Sequence, residues 1–192
     1  MPLNLDGGGS VQPFVNYKAQ MQVWEKSGED GKTTFQFTKA VFDFDNIQTG
    51  WMKWDDGCAP EWVMDESIEK TAPKPTEGDW KRGFKVKIYS AQMFGSDPVR
   101  EWATNGSGAN ISIGNIYSEY EQSRKDGMLP VIEYKGSVAT KLGRGNSSIP
   151  QWEIVKWVER PKEMMEGFVP EVQQAAPLPV DNGADDEDEF PA

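Results

Sequence analysis

Apolar and polar positions alternate from Val15 to Trp24: Val15, Tyr17, Ala19, Met21 and Val23 are separated by Asn16, Lys18, Gln20 and Gln22. That period of two predicts a strand. Gly28–Gly31, with Asp30-Gly31 at its centre, reads as a hairpin turn into a second strand over Thr33–Phe44. Two sequential strands joined so closely pair antiparallel. The stretch from Ile47 to Asp79 reads as a short strand, a turn and a long loop carrying Pro60, Pro73 and Pro75. Lys81–Ser90 is the clearest later strand, with Lys81, Gly83, Lys85, Lys87 and Tyr89 on one face and Arg82, Phe84, Val86 and Ile88 on the other.

Asn105–Asn110 reads as a Gly/Ser/Asn loop. Ile113, Ile116, Tyr117 and Tyr120 then follow helical spacing and predict a helix over 112–125, stopped by Asp126-Gly127. Strands are predicted over Leu129–Ala139 and Gln151–Glu159, with a basic, Gly-rich loop at 141–148 between them. Five or six strands with a single helix predict a mainly β fold, an OB-fold-like antiparallel barrel. The expected organisation is a flexible leader at 1–10, the barrel over 11–162, and a disordered spacer and acidic tail over 163–192.

Composition narrows the chemistry. The chain has 192 residues, no histidine and one cysteine, Cys58. That removes histidine-based catalysis and any internal disulfide, and it disfavours a zinc site. No catalysis, metal or cofactor is expected. No apolar run approaches the roughly 20 residues that span a bilayer, and the N-terminus lacks a secretion signal, so a cytoplasm is the expected compartment.

Charge changes the picture more. The net charge is −11, but residues 171–192 hold seven acids and no bases, so the remainder carries only −4. Residues 81–160 hold 12 bases against 8 acids. A locally basic body with an acidic tail is a pattern of polyanion binding or of an interaction tail.

Within the basic part, cations interleave with aromatics: Lys81, Lys85, Lys87 and Tyr89; Tyr134, Lys135, Lys141 and Arg144; Lys156 and Trp157. Single-stranded nucleic acid calls for both, because cations track phosphates and flat rings stack on unpaired bases. Trp51 and Trp54, in the long loop, are further candidate stackers among eight tryptophans. The tail, Asp185-Asp186-Glu187-Asp188-Glu189-Phe190, presents an aromatic anchor on a flexible acidic strand, suited to an apolar pocket with a basic rim on a partner.

A small β-rich body, a Pro/Gln/Ala spacer and an acidic C-terminus with Phe190 near its end resemble the single-stranded-DNA-binding proteins, in particular those of bacteriophages. The segment Ile149–Pro161 is similar to the closing strand of phage proteins of this type. In the bacterial family the phenylalanine is terminal; here Pro191 and Ala192 follow it. The resemblance implies an OB body that coats single-stranded DNA in replication, recombination or repair. It further implies recruitment of replication or recombination proteins through Asp185–Phe190, no membrane partner, and residence in the host cytoplasm. Homo-oligomerisation is left open. Two other readings compete. Glu133 and Lys135 share a strand face and match the metal-and-lysine half of a Mg²⁺-dependent nuclease, with Asp97 or Asp126 as the missing acid. Alternatively, the chain is a structural or adaptor protein of which only the tail is functional.

Overall fold

The computed structural model describes residues 13–54, 59–143 and 145–165. Among them are ten strands: β1 (Phe14–Lys18), β2 (Val23–Gly28), β3 (Gly31–Phe35), β4 (Lys39–Phe42), β5 (Gln48–Lys53), β6 (Glu61–Met64), β7 (Lys81–Tyr89), β8 (Val99–Thr104), β9 (Met128–Leu142) and β10 (Gly145–Glu159). A single turn, α1 (Ala91–Phe94), precedes β8, and the main helix α2 (Ser107–Ser123) follows it. The mainly β class with one main helix is as the sequence predicts.

The strands form one sheet in the order β10-β9-β4-β7-β8-β1-β2-β3, with β5 on the edge of β7 beside β4 and β6 beyond β5. β1 runs parallel to β8, with Phe14 opposite Glu101 and Val15 opposite Trp102. The sheet is therefore mixed, not antiparallel throughout. It also rolls up without closing. In a flat sheet β3 and β4 would stand about five strand spacings apart, roughly 24 Å. Only Gln36–Thr38 join them, a reach of about 13 Å at most. The sheet must coil, yet its terminal strands β3 and β10 share no ladder. The expected closed barrel is corrected to a rolled, open sheet.

Aromatic side chains fill the roll. Phe84, Val86 and Ile88 of β7 point inward beside Trp102 of β8, Phe42 of β4 and Trp24 of β2, all buried. Trp24 lies 4.8 Å from Phe37, 5.1 Å from Trp102, 5.9 Å from Tyr134 and 5.7 Å from Trp152, ring centre to ring centre. Tyr17 and Ser137 hydrogen-bond at 2.6 Å across the same gap. Side chains join the two ends of the sheet where backbone bonds do not.

Helix α2 packs Ala109, Ile113, Ile116 and Tyr120 into the core and begins five residues earlier than its apolar period predicts. The small polar residues read as a loop are its docking surface. A Cβ at Gly108 would lie 2.7 Å from Ser147 Oγ. Ser112 Oγ donates to the Pro150 carbonyl and accepts from Trp152 Nε1, both at 2.6 Å. Near the C-terminal end of α2, Arg160 ties the exit of β10 to the turn after β4, donating to Asp43 Oδ2 at 2.6 Å and Asp45 Oδ2 at 3.3 Å. Tyr120 Oη donates to Asp45 Oδ1 at 2.5 Å, and burial first, then that carboxylate, pushes the phenol's pKa up. The chain then folds back so that Met164 is buried against Val41 and Leu129 on the outer face.

Candidate nucleic-acid interface

The outer face of β7 carries Lys81, Lys85, Lys87 and Tyr89, as the alternation predicts. Register sets Lys85 opposite Ala103 and Lys87 opposite Glu101 of β8. Those two β8 residues floor an open groove of about 830 Å³, together with Asn16 and Lys18 of β1. The β5–β6 hairpin makes the wall, with Met52, Trp54 and Pro60 facing the groove. Trp54 is 57 % exposed, the one large aromatic so open among the described residues.

Two facing glycines let the hairpin bend over β7. Gly50 pairs with Gly83. A Cβ at Gly50 would lie 2.6 Å from the Val63 carbonyl oxygen, and one at Gly83 2.5 Å from that of Thr104. Trp62 of β6 then packs over Gly83, and Lys85 Nζ sits 4.8 Å from the centre of a Trp62 ring. The loop after β6 is anchored by Asp65, whose side chain is 2 % exposed. Asp65 accepts from Arg82 Nη1 and Nη2 at 2.8 and 2.5 Å, from Thr49 Oγ1 at 2.5 Å and from the Ala72 N–H at 2.9 Å. Arg82 also lies 5.1 Å and Lys74 5.4 Å from the centre of a Trp51 ring, while Trp51 Nε1 donates to the Ala72 carbonyl. Trp51 is thus held inside the scaffold that presents Trp54.

The other sequence candidates scatter. Tyr134 is turned into the roll against Trp24, Phe37 and Trp152, and burial raises its pKa. Trp157 stacks on Tyr120 at 5.9 Å, beneath the end of α2. Tyr89 packs beside Val41 and Met164. Lys135 bridges Glu133 at 2.8 Å and Glu153 at 3.0 Å, which lowers the Glu133 pKa and raises its own. Lys156 is exposed on β10. Lys141 stands near the tip of the β9–β10 ribbon, whose strands run into the segment read as a loop. Arg144, Cys58 and the tail residues Asp185, Asp186, Glu187, Asp188, Glu189 and Phe190 lie outside the described residues. Among the described residues no three acid, cysteine or histidine side chains gather to hold a metal. No helix among them is long and apolar enough to cross a membrane.

Lys18, Lys32 and Glu101 of the groove were not singled out from the sequence. Strand β8, which sets the groove's floor, carries few alternating positions, and Lys18 sits where the first strand turns back. No known protein family, curated protein or solved structure matches the chain.

Proposed function

We propose that this chain is a sequence-tolerant single-stranded-DNA-binding protein of the phage type, acting in the cytoplasm in replication, recombination or repair. The observation that carries the proposal is the exposed Trp54 ring beside a groove lined by Lys18 and Lys32, with Lys85 and Lys87 on the next strand, paired with the floor residues Ala103 and Glu101. An unpaired base stacks on the ring, and its phosphates meet the amines. Glu101 on the floor keeps the groove from being uniformly positive, which suits a binder that must also release.

Oligo-dT should quench tryptophan emission at low salt far more than duplex DNA of the same length. Four lysine–phosphate contacts set the slope of log affinity against log salt at about −3. Trp54→Ala should weaken oligo-dT binding by about tenfold, the lower range of one base–aromatic stack. Absence of quenching in low salt would refute the proposal.

The acidic tail gives a second expectation. Glu163 and Met164 stand beside Lys87, so the chain leaves the described body next to the lysine row. Removing residues 171–192 should tighten oligo-dT binding several-fold at low salt and have little effect at high salt, since Coulombic competition is screened there. Equal affinity with and without the tail at low salt would leave it only the role of recruiting replication or recombination proteins through Asp185–Phe190.

A further inference from the structure

A second pocket, of about 600 Å³, lies where β1, the β2–β3 turn and the segment between α1 and β8 meet. We infer that this pocket binds a phosphate monoester, presented by the end of a DNA strand lying in the groove. The strand part of the inference rests on the single-strand reading above; the phosphate part stands on its own geometry.

Arg100 is the starting point. It sits opposite fully buried Ile88 and one inward position from Trp102, so it is a cation on the apolar face of the sheet. Its side chain is 9 % exposed and lines the pocket. One edge of the guanidinium is used: Nη1 donates to Asp97 Oδ2 at 2.8 Å and to the Val99 carbonyl at 3.1 Å. Nε on the other edge is buried with no partner. Asp97 is 62 % exposed, so its carboxylate is hydrated and compensates the buried charge only in part. A buried charge with an unfilled donor edge is costly until an anion completes it.

The surroundings select the anion. Lys32 lines the same pocket and has no acid partner among the described residues. Glu29 and Asp97 line the pocket as well, so selection comes from the Arg100 and Lys32 donors and not from net charge: a monoester offers them three terminal oxygens, a diester two. The guanidinium fork fits phosphate oxygens in pairs. Phe94 lies 5.4 Å from the Arg100 guanidinium centre and Phe14 5.5 Å from Lys32 Nζ, so each cation of the pocket is braced on a ring. Phe14 and Lys32 also border the groove, so groove and pocket share a rim. A strand leaving Trp54 along β1 ends at Arg100.

The test uses the full chain and an eight-nucleotide oligo-dT with hydroxyl ends, with a 5′-phosphate or with a 3′-phosphate. Thymidine monophosphate, thymidine and inorganic phosphate serve as competitors. At pH 7.5 one phosphorylated oligo should bind about tenfold tighter than the hydroxyl-ended one, as expected for hydrogen bonds to a charged group. The advantage should shrink below pH 6, as the phosphate takes up its second proton. Thymidine monophosphate should compete and thymidine should not. Arg100→Lys should abolish the phosphate advantage and leave the hydroxyl-ended affinity unchanged; if that variant does not fold, the wild-type comparison decides alone. Equal binding of all three oligos, with no competition by the monophosphate, overturns the inference while oligo-dT quenching still upholds the single-strand reading. Monophosphate binding without any oligo binding upholds the pocket and removes the strand. Inorganic phosphate competing as well as the monophosphate would overturn the strand-end assignment.

Discussion

Trp24→Ala should cost about 3–5 kcal/mol of stability, as for other large-to-small changes at buried aromatics. At roughly 2–4 °C per kcal/mol for a chain of this size, Tm should fall by about 10 °C. The reason is topological. No ladder joins β3 to β10, so the rolled sheet is held across its gap by side chains. Trp24 on β2 is the ring that touches Tyr134 of β9 and Trp152 of β10 while also packing on Trp102 and Phe37. Its loss leaves a cavity where the two ends of the sheet meet. Urea unfolding measures the effect, and a loss below about 1 kcal/mol would show that the gap closes without it. Trp24→Phe, which keeps a ring there, should lose less than the alanine variant.

Asp65→Ala is the second large effect. It strips the acceptor from Arg82, from Thr49 and from the Ala72 N–H at once. Removing one partner of such a buried pair costs about 3–5 kcal/mol; the low end applies because Arg82 is 35 % exposed. The pH dependence follows from the same contacts. The Arg82 hydrogen bonds hold the Asp65 carboxyl well below the usual carboxylate range; burial opposes them, and Thr49 and Ala72 add to them. A group whose folded pKa is depressed stabilises fully above its unfolded pKa, near 4, and loses that contribution as the pH falls below it. Wild-type stability should therefore drop from pH 5 to pH 3 more steeply than that of Asp65→Asn. Parallel curves would exclude the pair as a source of acid lability. Oligo-dT affinity should fall as well, since this node fixes the hairpin that carries Trp54.

The limits of the sequence reading have specific causes. Lys81–Tyr89 was legible because both of its neighbours keep its inner face apolar and its outer face open. Val15–Trp24 reads as one strand, yet the chain turns at Ala19–Gln22, and Lys18 pairs with Val23. A four-residue turn inverts the alternation, so Trp24 enters the core and Met21 ends up 63 % exposed. The helix was found by its apolar ridge, but its first turn was masked by the small residues that let it dock. Basic and aromatic residues are abundant in the sequence, but alternation cannot say that Tyr134 and Trp157 face protein while Trp54 faces solvent. That distinction depends on the curl of the hairpin, which Gly50 and Gly83 make possible.

The parallel pairing of β1 with β8 has a kinetic meaning. It joins residues 14–15 to 101–102, and β4 joins residues 39–41 to 131–133. Neither pairing can form until a long stretch of chain has closed into a loop, and that closure is entropically unfavourable before contacts reward it. Sheets dominated by such distant pairings fold in milliseconds to seconds, against microseconds for helical bundles. The β9–β10 ribbon, whose partners are close in sequence, is the natural early structure, whereas the β1–β8 pairing across the groove's floor has to wait for a long loop to close.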